Sequence, residues 1–324
     1  MRKKVGIAST VALLVLALIL VLVGTALAAP KSEIIHVSRD TKVFAIGSEA
    51  DPIATAKPGD ILVIETEDCF DNQVRTSSDV IESVDFDRVN PATGPMYIEG
   101  AEPGDTLVVD ILSIDVAEQG VMVALPGLGV LPDEVQNPTT RILPVKDSRV
   151  IWDENFSFTI KPMVGVIGVA PKDGAIPCGA PGDHGGNMDT AEIGAGTRVN
   201  LPVNVKGALL HMGDVHAAQG DGEVCGTGVE CRAVVTVRVD LKKNTGLKRP
   251  ILERDNRIMF IGSHVDLFTA TQIATRDAVH YLMQVKNLSF EDAYILASAI
   301  VDLKVSQLVD PLLTIRAEID LSRL

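Results

Sequence analysis

The chain has 324 residues with 43 acidic and 29 basic side chains, so its formal net charge is −14 at pH 7. A surface this acidic repels the phosphates of nucleic acid and the headgroups of anionic lipid, which excludes both as partners. The length is sufficient to bury a large core, as one β-rich domain or as two smaller lobes.

The first 29 residues have the character of a targeting segment that stands apart from the fold. Three cations at positions 2–4 precede an apolar run without charged side chains, and the A-L-A sequence of residues 26–28 fits a signal-peptidase site. The run is also about 20 residues long, which is enough to span a bilayer as an uncleaved anchor. Both interpretations have this segment engage the export machinery and the membrane, and both predict an extracytoplasmic protein, either secreted or tethered. Without the segment the formal charge is −17, because three cations and no acids are removed.

The chain from residue 30 to about 250 contains short β-type runs separated by Gly, Pro, Asp and Asn, a pattern typical of sandwiches and barrels. The predicted strands are 61–66, 106–114, 156–160, 164–170 and 232–241. Segments 56–65 and 101–110 resemble each other, and in each a Pro-Gly turn leads into a strand. This repetition supports a sheet-on-sheet architecture.

After residue 250 the pattern becomes helical. Apolar residues recur at three- and four-residue steps between Leu267 and Val285, which predicts an amphipathic helix. Ser289, followed by two acids, predicts the start of a second helix leading into residues 293–303, and residues 312–321 predict a closing strand. We therefore predict an α+β, mostly β fold: a β-sandwich-like core (30–250) with a smaller C-terminal helical portion and closing strand (251–324).

Three clusters contain the residues best suited to chemistry. Residues 211–223 follow an apolar run and combine two His, two Asp, a Glu and a Gln with glycines, so they offer metal ligands and proton carriers. Residues 182–189 and 67–73 hold further acids and amides. A solvated loop, an ordinary turn and a polar strand end are the plain alternatives for these three segments. The first cluster is the strongest, because it contains two of only six histidines in the chain.

These clusters also carry a resemblance to a known family. The stretch GDVHAAQGDGEVCGTGVE (213–230) resembles the signature segment of the acetamidase/formamidase family, and further similar motifs occur in family order at 68–73, 90–111, 165–171, 185–189 and 309–319. The resemblance extends from about residue 35 to the C-terminus. It implies hydrolysis of formamide- or acetamide-like substrates to ammonia and a carboxylate, on a β-sandwich-like core joined to a smaller α+β portion, commonly as a homodimer.

The chain also departs from what the resemblance implies. The N-terminal export segment is unexpected in a family of mostly cytoplasmic enzymes. His184, His211 and Asp71 lie beside the family motifs without belonging to them, so no role is transferred to these three residues.

The sequence lacks the G-x-S-x-G elbow of α/β-hydrolases, which leaves a metal-activated water or a cysteine nucleophile. We predict a divalent metal ion, either zinc or calcium/magnesium, because no standard zinc motif decides its identity. Its predicted ligands are His216, Asp189 and Asp214. The predicted acids that carry protons are Glu223, Glu99 and Asp221. The side chains predicted to hold the small amide substrate are Asn72, Gln73 and Asn187.

Two alternatives remain open from the sequence. Cys69 or Cys225 could act as a nucleophile with His216 as its base, although Cys225 and Cys231 could instead close a short loop as a disulfide. The second alternative is a non-catalytic extracytoplasmic protein that binds a small amide or a metal on the same fold.

Overall fold

The computed structural model describes residues 32–79 and 83–324. The predicted signal or anchor segment, residues 1–29, lies outside the described residues. The described strands and helices belong to one unit, Ile34–Leu324. Within that unit no helix is both long and apolar enough to cross a membrane.

Strands dominate the described chain. The first twelve are β1 (Ile34–Val37), β2 (Lys42–Val43), β3 (Ala45–Gly47), β4 (Ala54–Ala56), β5 (Ile61–Thr66), β6 (Ala92–Ile98), β7 (Thr106–Val116), β8 (Gln119–Ala124), β9 (Thr139–Lys146), β10 (Arg149–Ile151), β11 (Ser157–Thr159) and β12 (Met163–Val169). The remaining elements are β13 (Ala175–Pro177), β14 (Pro181–Gly182), β15 (Gly185–Asn187), β16 (Arg198–Pro202), β17 (Leu210–His216), β18 (Glu230–Cys231), β19 (Ala233–Lys242), β20 (Ile251–Arg254), β21 (Arg257–His264), α1 (Leu267–Lys286), α2 (Phe290–Ile300), β22 (Val301–Gln307) and β23 (Leu313–Asp320).

Most strands form two large sheets. One has nine strands in the order β1-β5-β19-β7-β16-β20-β21-β23-β22, and the other has twelve, with β11-β10-β9-β8-β18-β17-β12-β15-β14 as its main path. The largest cluster of buried apolar side chains draws on both sheets, for example on Leu62 and Val235 from one and Ile167 and Met212 from the other. The predicted β-sandwich-like core is confirmed.

The two similar sequence segments flank a single strand. They end in β5 and β7, and both of these strands pair with β19 in antiparallel register. Burial alternates along β5, as expected for a strand with one face on the core. Every residue of β12 and β17 is buried, however, so these two strands lie inside the molecule and can present polar side chains to an enclosed site.

The C-terminal portion contains the two helices. Ser289 caps α2 as predicted, because its hydroxyl accepts the N–H of Asp292. Both helices bury their apolar faces in a second core, which includes residues of β21 and β23. The prediction differs from the structure at two points: α2 ends at Ile300 so that residues 301–307 can extend the sheet as β22, and β20 and β21 precede α1. The apolar residues of β21 form a strand between β20 and β23, and the two helices pack against this strand.

Candidate active site

The end of strand β17 places two polar side chains among buried neighbours. Asp214 and His216 are two residues apart, and residues at this spacing point to the same face of a strand. His216 lies directly opposite Glu230 of β18 in the antiparallel register. Its Nε2 lies 3.0 Å from Glu230 Oε2 and 3.4 Å from Asp214 Oδ1. A histidine and two carboxylates therefore converge in the interior.

Two loops add carboxylates to this group. Asp189, just after β15, places Oδ1 3.8 Å from His216 Nε2. Glu223, in the loop between β17 and β18, joins them, since ligand atoms of Asp189, His216 and Glu223 all lie within 4.8 Å of one another. Asp189, Asp214 and Glu223 have φ angles of 37°, 50° and 46°, in the left-handed region that non-glycine residues rarely adopt. Such strain is typical of functional sites, where the surrounding structure holds the backbone in place.

Gln219 fixes the orientation of the His216 ring. Its side-chain Nε2 donates to the carbonyl of Asp189 (2.8 Å), so its Oε1 faces His216 Nδ1 at 2.8 Å. Because an amide oxygen only accepts, Nδ1 is the nitrogen that donates. In the neutral ring, Nε2 then directs a lone pair at the carboxylates, and none of its short contacts has hydrogen-bond geometry. An orienting bond of this kind on the far nitrogen is the usual environment of a metal-binding histidine.

The electrostatics of the cluster follow from burial and crowding. Burial raises the pKa of Asp189 and of Glu223 well above the ordinary values, and neighbouring carboxylates raise them further. Burial alone would lower the pKa of His216, but Glu230 and Asp214 raise it well above its usual value. No lysine or arginine within residues 32–79 and 83–324 forms an ion pair with Asp189, Asp214 or Glu230. The negative charge thus lacks a fixed cationic partner.

The donor set fits a divalent metal ion. Four buried polar atoms lack a hydrogen-bond partner: Asp189 Oδ1, Asp214 Oδ1, His216 Nε2 and Glu230 Oε2. Buried polar groups are nearly always paired, so four unpartnered atoms in one place fit the binding of a cation. One imidazole nitrogen with carboxylate oxygens suits a divalent ion, and neighbouring glycines leave the space.

Comparisons with known proteins identify the family of the chain. The profile of the Acetamidase/Formamidase family matches residues 47–177 and 173–315, which together cover most of the chain. The chain belongs to this family. It is 28% identical to a formamidase from Methylophilus methylotrophus, over 80% of this chain and 83% of that protein.

Two solved structures support the assignment. An acetamidase from Bacillus halodurans is 44% identical, with a TM-score of 0.87 over 89% of this chain and 98% of its own. An acetamidase from Yersinia enterocolitica is 33% identical, with a TM-score of 0.87 over 91% of this chain and 94% of its own. The acetamidase/formamidase fold predicted from the sequence is thereby confirmed, and the protein is an amidohydrolase.

The catalytic and metal-binding residues predicted from the sequence do not all lie in the buried cluster. His216, Asp189, Asp214 and Glu223 lie together in the buried cluster. Glu99 is exposed in the turn after β6 and is not among the clustered residues.

The predicted amide-binding residues also separate. Asn187 is buried and donates from Nδ2 to Asp310 (3.2 Å), while its Oδ1 has no partner. Gln73 exchanges two hydrogen bonds with the backbone of Asp85, and Asn72 donates its backbone N–H to Asp68. Asn187 is thus the member of this group with an unsatisfied acceptor in the interior.

Two cluster residues were not selected from the sequence. Glu230 ends the family signature segment, and only the pairing of β17 with β18 brings it opposite His216. Asp310 comes from the loop between β22 and β23, and burial raises its pKa well above the usual value, as do Asp189 and Asp214. Treating the signature segment as a hairpin would have identified Glu230, whereas Asp310 had no local signal beyond its family motif.

The four cysteines are all free thiols, so Cys225 and Cys231 do not form the bridge that their spacing allows. The Sγ of Cys225 faces the carbonyls of Val123 and Thr227. Burial raises the pKa of Cys69 well above its usual value, and Glu230 and Asp214 raise it further. These surroundings disfavour a reactive thiolate at Cys69 unless a cation is present.

Asp221, predicted as an acid, forms an ion pair instead. Its carboxylate accepts two hydrogen bonds from Arg316 of β23, at 2.9 and 2.5 Å. Arg316 also donates to Glu318 (2.5 Å) and to the carbonyl of Val305 (2.8 Å), and its side chain is only 2% exposed. This network ties the loop that carries Glu223 to the C-terminal strands.

We expect Arg316→Met to lower the free energy of unfolding by about 3 kcal/mol, because it removes one partner from a buried ion network. Urea denaturation measures the change. Arg198→Met is the matched control: Arg198 makes the same two-bond contact with Asp110, but its side chain is 43% exposed, so its loss costs less than about 1 kcal/mol. Equal losses in the two variants would contradict the assignment of a special role to Arg316.

A second expectation concerns pH and the histidines outside the cluster. Burial lowers the pKa of both His184 and His211 to about 4, and neither ring nitrogen of His184 has a partner. Below about pH 6.5 these two histidines therefore bind protons in the unfolded chain, whereas in the folded chain they stay neutral until about pH 4. The contribution of these two histidines to stability is highest above about pH 6.5 and is lost as the pH falls from about 6.5 to 4.

The variant His184→Phe isolates this contribution. Between pH 7 and pH 5, wild-type protein should lose about 2 kcal/mol more unfolding free energy than the variant. Denaturation of both proteins at both pH values gives this difference. The carboxylates whose pKa is raised are present in both proteins, so their opposite contributions cancel. An identical pH dependence in the two proteins would show that His184 is protonated without cost in the fold.

Proposed function

We propose that this amidohydrolase cleaves small aliphatic primary amides of the formamide and acetamide type to ammonia and a carboxylate, with a divalent metal ion in the buried cluster. The observation that carries the proposal is the convergence of His216 Nε2 with one carboxylate oxygen each of Asp189, Asp214 and Glu230, four buried atoms without a hydrogen-bond partner, while Gln219 holds the other ring nitrogen. The names of the relatives support the substrate class, since they include a formamidase and acetamidases.

The residues that would hold the ion are His216, Asp189 and Asp214, with Glu230 as a further oxygen ligand. When bound, a divalent ion lowers the pKa of water toward about 7 and polarises the amide carbonyl. Zinc suits a site with imidazole and carboxylate ligands.

Glu223 is proposed as the proton carrier. Its raised pKa allows the carboxylate to accept a proton from the attacking water and to release it to the departing nitrogen. A carboxylic acid of ordinary pKa would be a poor proton donor near neutral pH. Burial raises the pKa of Glu223, which suits it both to accept the proton from water and to donate it to the leaving nitrogen. Asp310 lies close enough to influence this pKa.

Asn187 is proposed to orient the substrate. Its Nδ2 is engaged by Asp310, which leaves its unpartnered Oδ1 free to accept an N–H from the substrate amide. A primary amide offers two such hydrogens, and a buried acceptor left unpaired by an ester or a tertiary amide would penalise those compounds.

The test is ammonia release by purified protein that begins at residue 29. Formamide and acetamide are offered before chelation, after chelation and after addition of single divalent ions. Turnover that chelation abolishes and one ion restores supports the proposal. Turnover that chelation leaves intact but thiol alkylation abolishes would favour Cys69 or Cys225 as the nucleophile. Saturable amide binding without any ammonia release would favour a non-catalytic binding protein.

The location and assembly of the protein are part of the same proposal. The basic, apolar and A-x-A features of residues 1–29 support export, followed by release or tethering at the membrane. Cell fractionation and the mass of the mature N-terminus distinguish release from tethering. Light scattering during size-exclusion chromatography tests the expected homodimer.

A further inference from the structure

Exposed apolar side chains are concentrated on the two helices and the strand that follows them. Of the fifteen large apolar side chains exposed among the described residues, eight lie between Val265 and Leu303. The three most exposed of the fifteen, Ile295, Phe268 and Val265, all belong to this segment. Isolated apolar side chains are normal on a protein surface, but a concentration of them indicates an interaction site.

Five of the eight line one groove of about 810 Å³ between α1, α2 and β22: Phe268, Phe290, Tyr294, Ile295 and Leu303. Among the described residues that line the groove, Arg276 alone is charged, although 22% of the whole chain is charged. The buried centres of protein interfaces are enriched in aromatic side chains and Arg, and they are depleted in Lys, Asp and Glu. The composition of the groove therefore fits a protein partner.

The exposed area is sufficient for the centre of a stable interface. Phe268, Phe290 and Tyr294 are 69%, 44% and 57% exposed, which amounts to roughly 300 Å² at about 200 Å² for each aromatic side chain. Ile295 and Leu303 add to this area. A standard interface buries about 800 Å² on each partner, as an apolar centre with a polar rim. The groove supplies an apolar centre of that size.

Strand β22 forms an open edge beside the groove. It is the last strand of the nine-stranded sheet, and within residues 32–79 and 83–324 its outer edge carries only one bridge, between Gln307 and Gly222. Val301 and Val305 pack against the helical core, and Leu303 lines the groove. The three apolar residues of this strand thus face the helices, as alternation requires.

Two β22 strands would match each other if they paired in antiparallel fashion with Leu303 at the centre. Asp302 of each copy would then lie directly opposite Lys304 of the other, so the pairing would create two contacts between opposite charges. A lysine on an exposed edge strand ordinarily discourages pairing. Here Asp302 complements the lysine in this one register, so the edge selects an identical strand.

We propose that two copies of the chain associate about a two-fold axis at Leu303, with their β22 strands paired and their helices filling each other's groove. Identical patches that meet at a two-fold axis are the usual geometry of homodimers. Two chains with a formal charge of −14 approach with least repulsion through a nearly neutral face, and the same charge disfavours an anionic bilayer as the occupant. The inference rests on the homodimer of the proposed function and is independent of the amide chemistry.

Cysteine cross-linking tests the position of the axis. Directly opposed Cα atoms of antiparallel strands lie about 4.5–5.5 Å apart, within the range of about 4.4–6.8 Å that a disulfide spans. We expect mild oxidation of full-chain Leu303→Cys, purified in mild detergent, to convert most of it to a covalent dimer that a reducing agent reverses. Leu131→Cys is the matched control, because Leu131 is an exposed leucine in the loop between β8 and β9, and it should give no such dimer.

Ile295→Glu tests the groove. Light scattering during size-exclusion chromatography should show a dimer for wild type and a dissociation constant raised at least about a hundredfold for the variant, because the changed side chain occurs twice in a two-fold interface. Leu131→Glu is the control, since Leu131 is 64% exposed and Ile295 is 71% exposed, and it should remain dimeric. Thermal denaturation verifies folding, and Phe268→Glu is the second variant if Ile295→Glu is unstable.

A charge exchange tests the register. Asp302→Lys places two lysines opposite each other and should weaken the dimer at least about tenfold, whereas Asp302→Lys combined with Lys304→Asp should restore it. Asp302 lies opposite Glu318 of β23, so the new lysine can replace Lys304 as the partner of that acid within each chain. Failure of the double variant to restore the dimer would refute the register.

The other outcomes also separate the interface from the proposed function. A dimer that survives Ile295→Glu and gives no Leu303→Cys cross-link would keep the homodimer but refute this surface. A monomer at every concentration would refute both. Binding to phosphatidylcholine vesicles that Ile295→Glu abolishes, without self-association, would assign the face to a membrane instead and overturn the proposal. Ammonia release from the same preparations tests the amide chemistry separately.

Discussion

Glu223→Gln should lower kcat by at least about a hundredfold and leave KM within a few-fold of wild type. Glutamine preserves the shape of the side chain but cannot accept a proton from water or return one to the departing nitrogen. Glu223 is buried in a left-handed backbone conformation, so its position is set by the loop and should survive the substitution. Steady-state ammonia release measures the chemistry, and zinc titration measures metal binding.

Two further variants make this result interpretable. Glu291→Gln is the matched control on the exposed surface of α2, and it should behave as wild type. Glu99→Gln tests the competing acid named from the sequence, and its exposed position predicts little change. A large loss in Glu99→Gln together with normal turnover in Glu223→Gln would reverse the assignment of the proton carrier.

Gly165→Ala should lower metal affinity and activity at least about a hundredfold by adding a single methyl group. A Cβ at this position of β12 would lie 2.4 Å from Asp189 Oδ1 and 2.7 Å from Asp214 Oδ2, closer than real Cβ atoms approach other atoms. Both carboxylates must therefore move. A displacement of about 1 Å in such a site can cost a hundredfold in rate, and we expect at least that loss in kcat/KM and in zinc affinity.

Gly220→Ala provides the matched control for this substitution. It lies in the loop between β17 and β18, near the same cluster, but a Cβ there meets no atom within 4 Å. Its activity and zinc affinity should remain at wild-type levels. Overpacking at Gly165 should cost only about 1–3 kcal/mol of stability, so thermal denaturation distinguishes a damaged site from an unfolded chain. Normal zinc binding by Gly165→Ala would show that the carboxylates are not the ligands.

Local signals in the sequence were sufficient for much of the fold. Ser289 with its following acids located the start of α2, and alternation located β5. Residues 301–303 were assigned to the helix as a continuation of α2. These residues form a strand because they pair with β23 at the edge of the sheet, and no local pattern in the sequence indicates that pairing.

The site was predictable where its residues are close in the chain. Asp214 and His216 share one strand face, and Glu223 belongs to the same signature segment. The position of Glu230 depends on the register of β17 with β18. The position of Asp310 depends on a loop, distant in sequence, that contacts Asn187. Long-range pairing, unlike periodicity, leaves no trace in a single sequence.

The attachment of the Glu223 loop to the C-terminal strands affects when the protein can become active during its synthesis. Gly222 donates its N–H to Ser306 and accepts from Leu308, and Arg316 holds Asp221. These partners are translated well after residues 216–223, so a nascent chain that already contains His216 and Glu223 still lacks the groups that hold this loop in place. Contacts between such distant segments form slowly. The centre is therefore completed only after the C-terminal strands have been synthesised and have folded onto this loop.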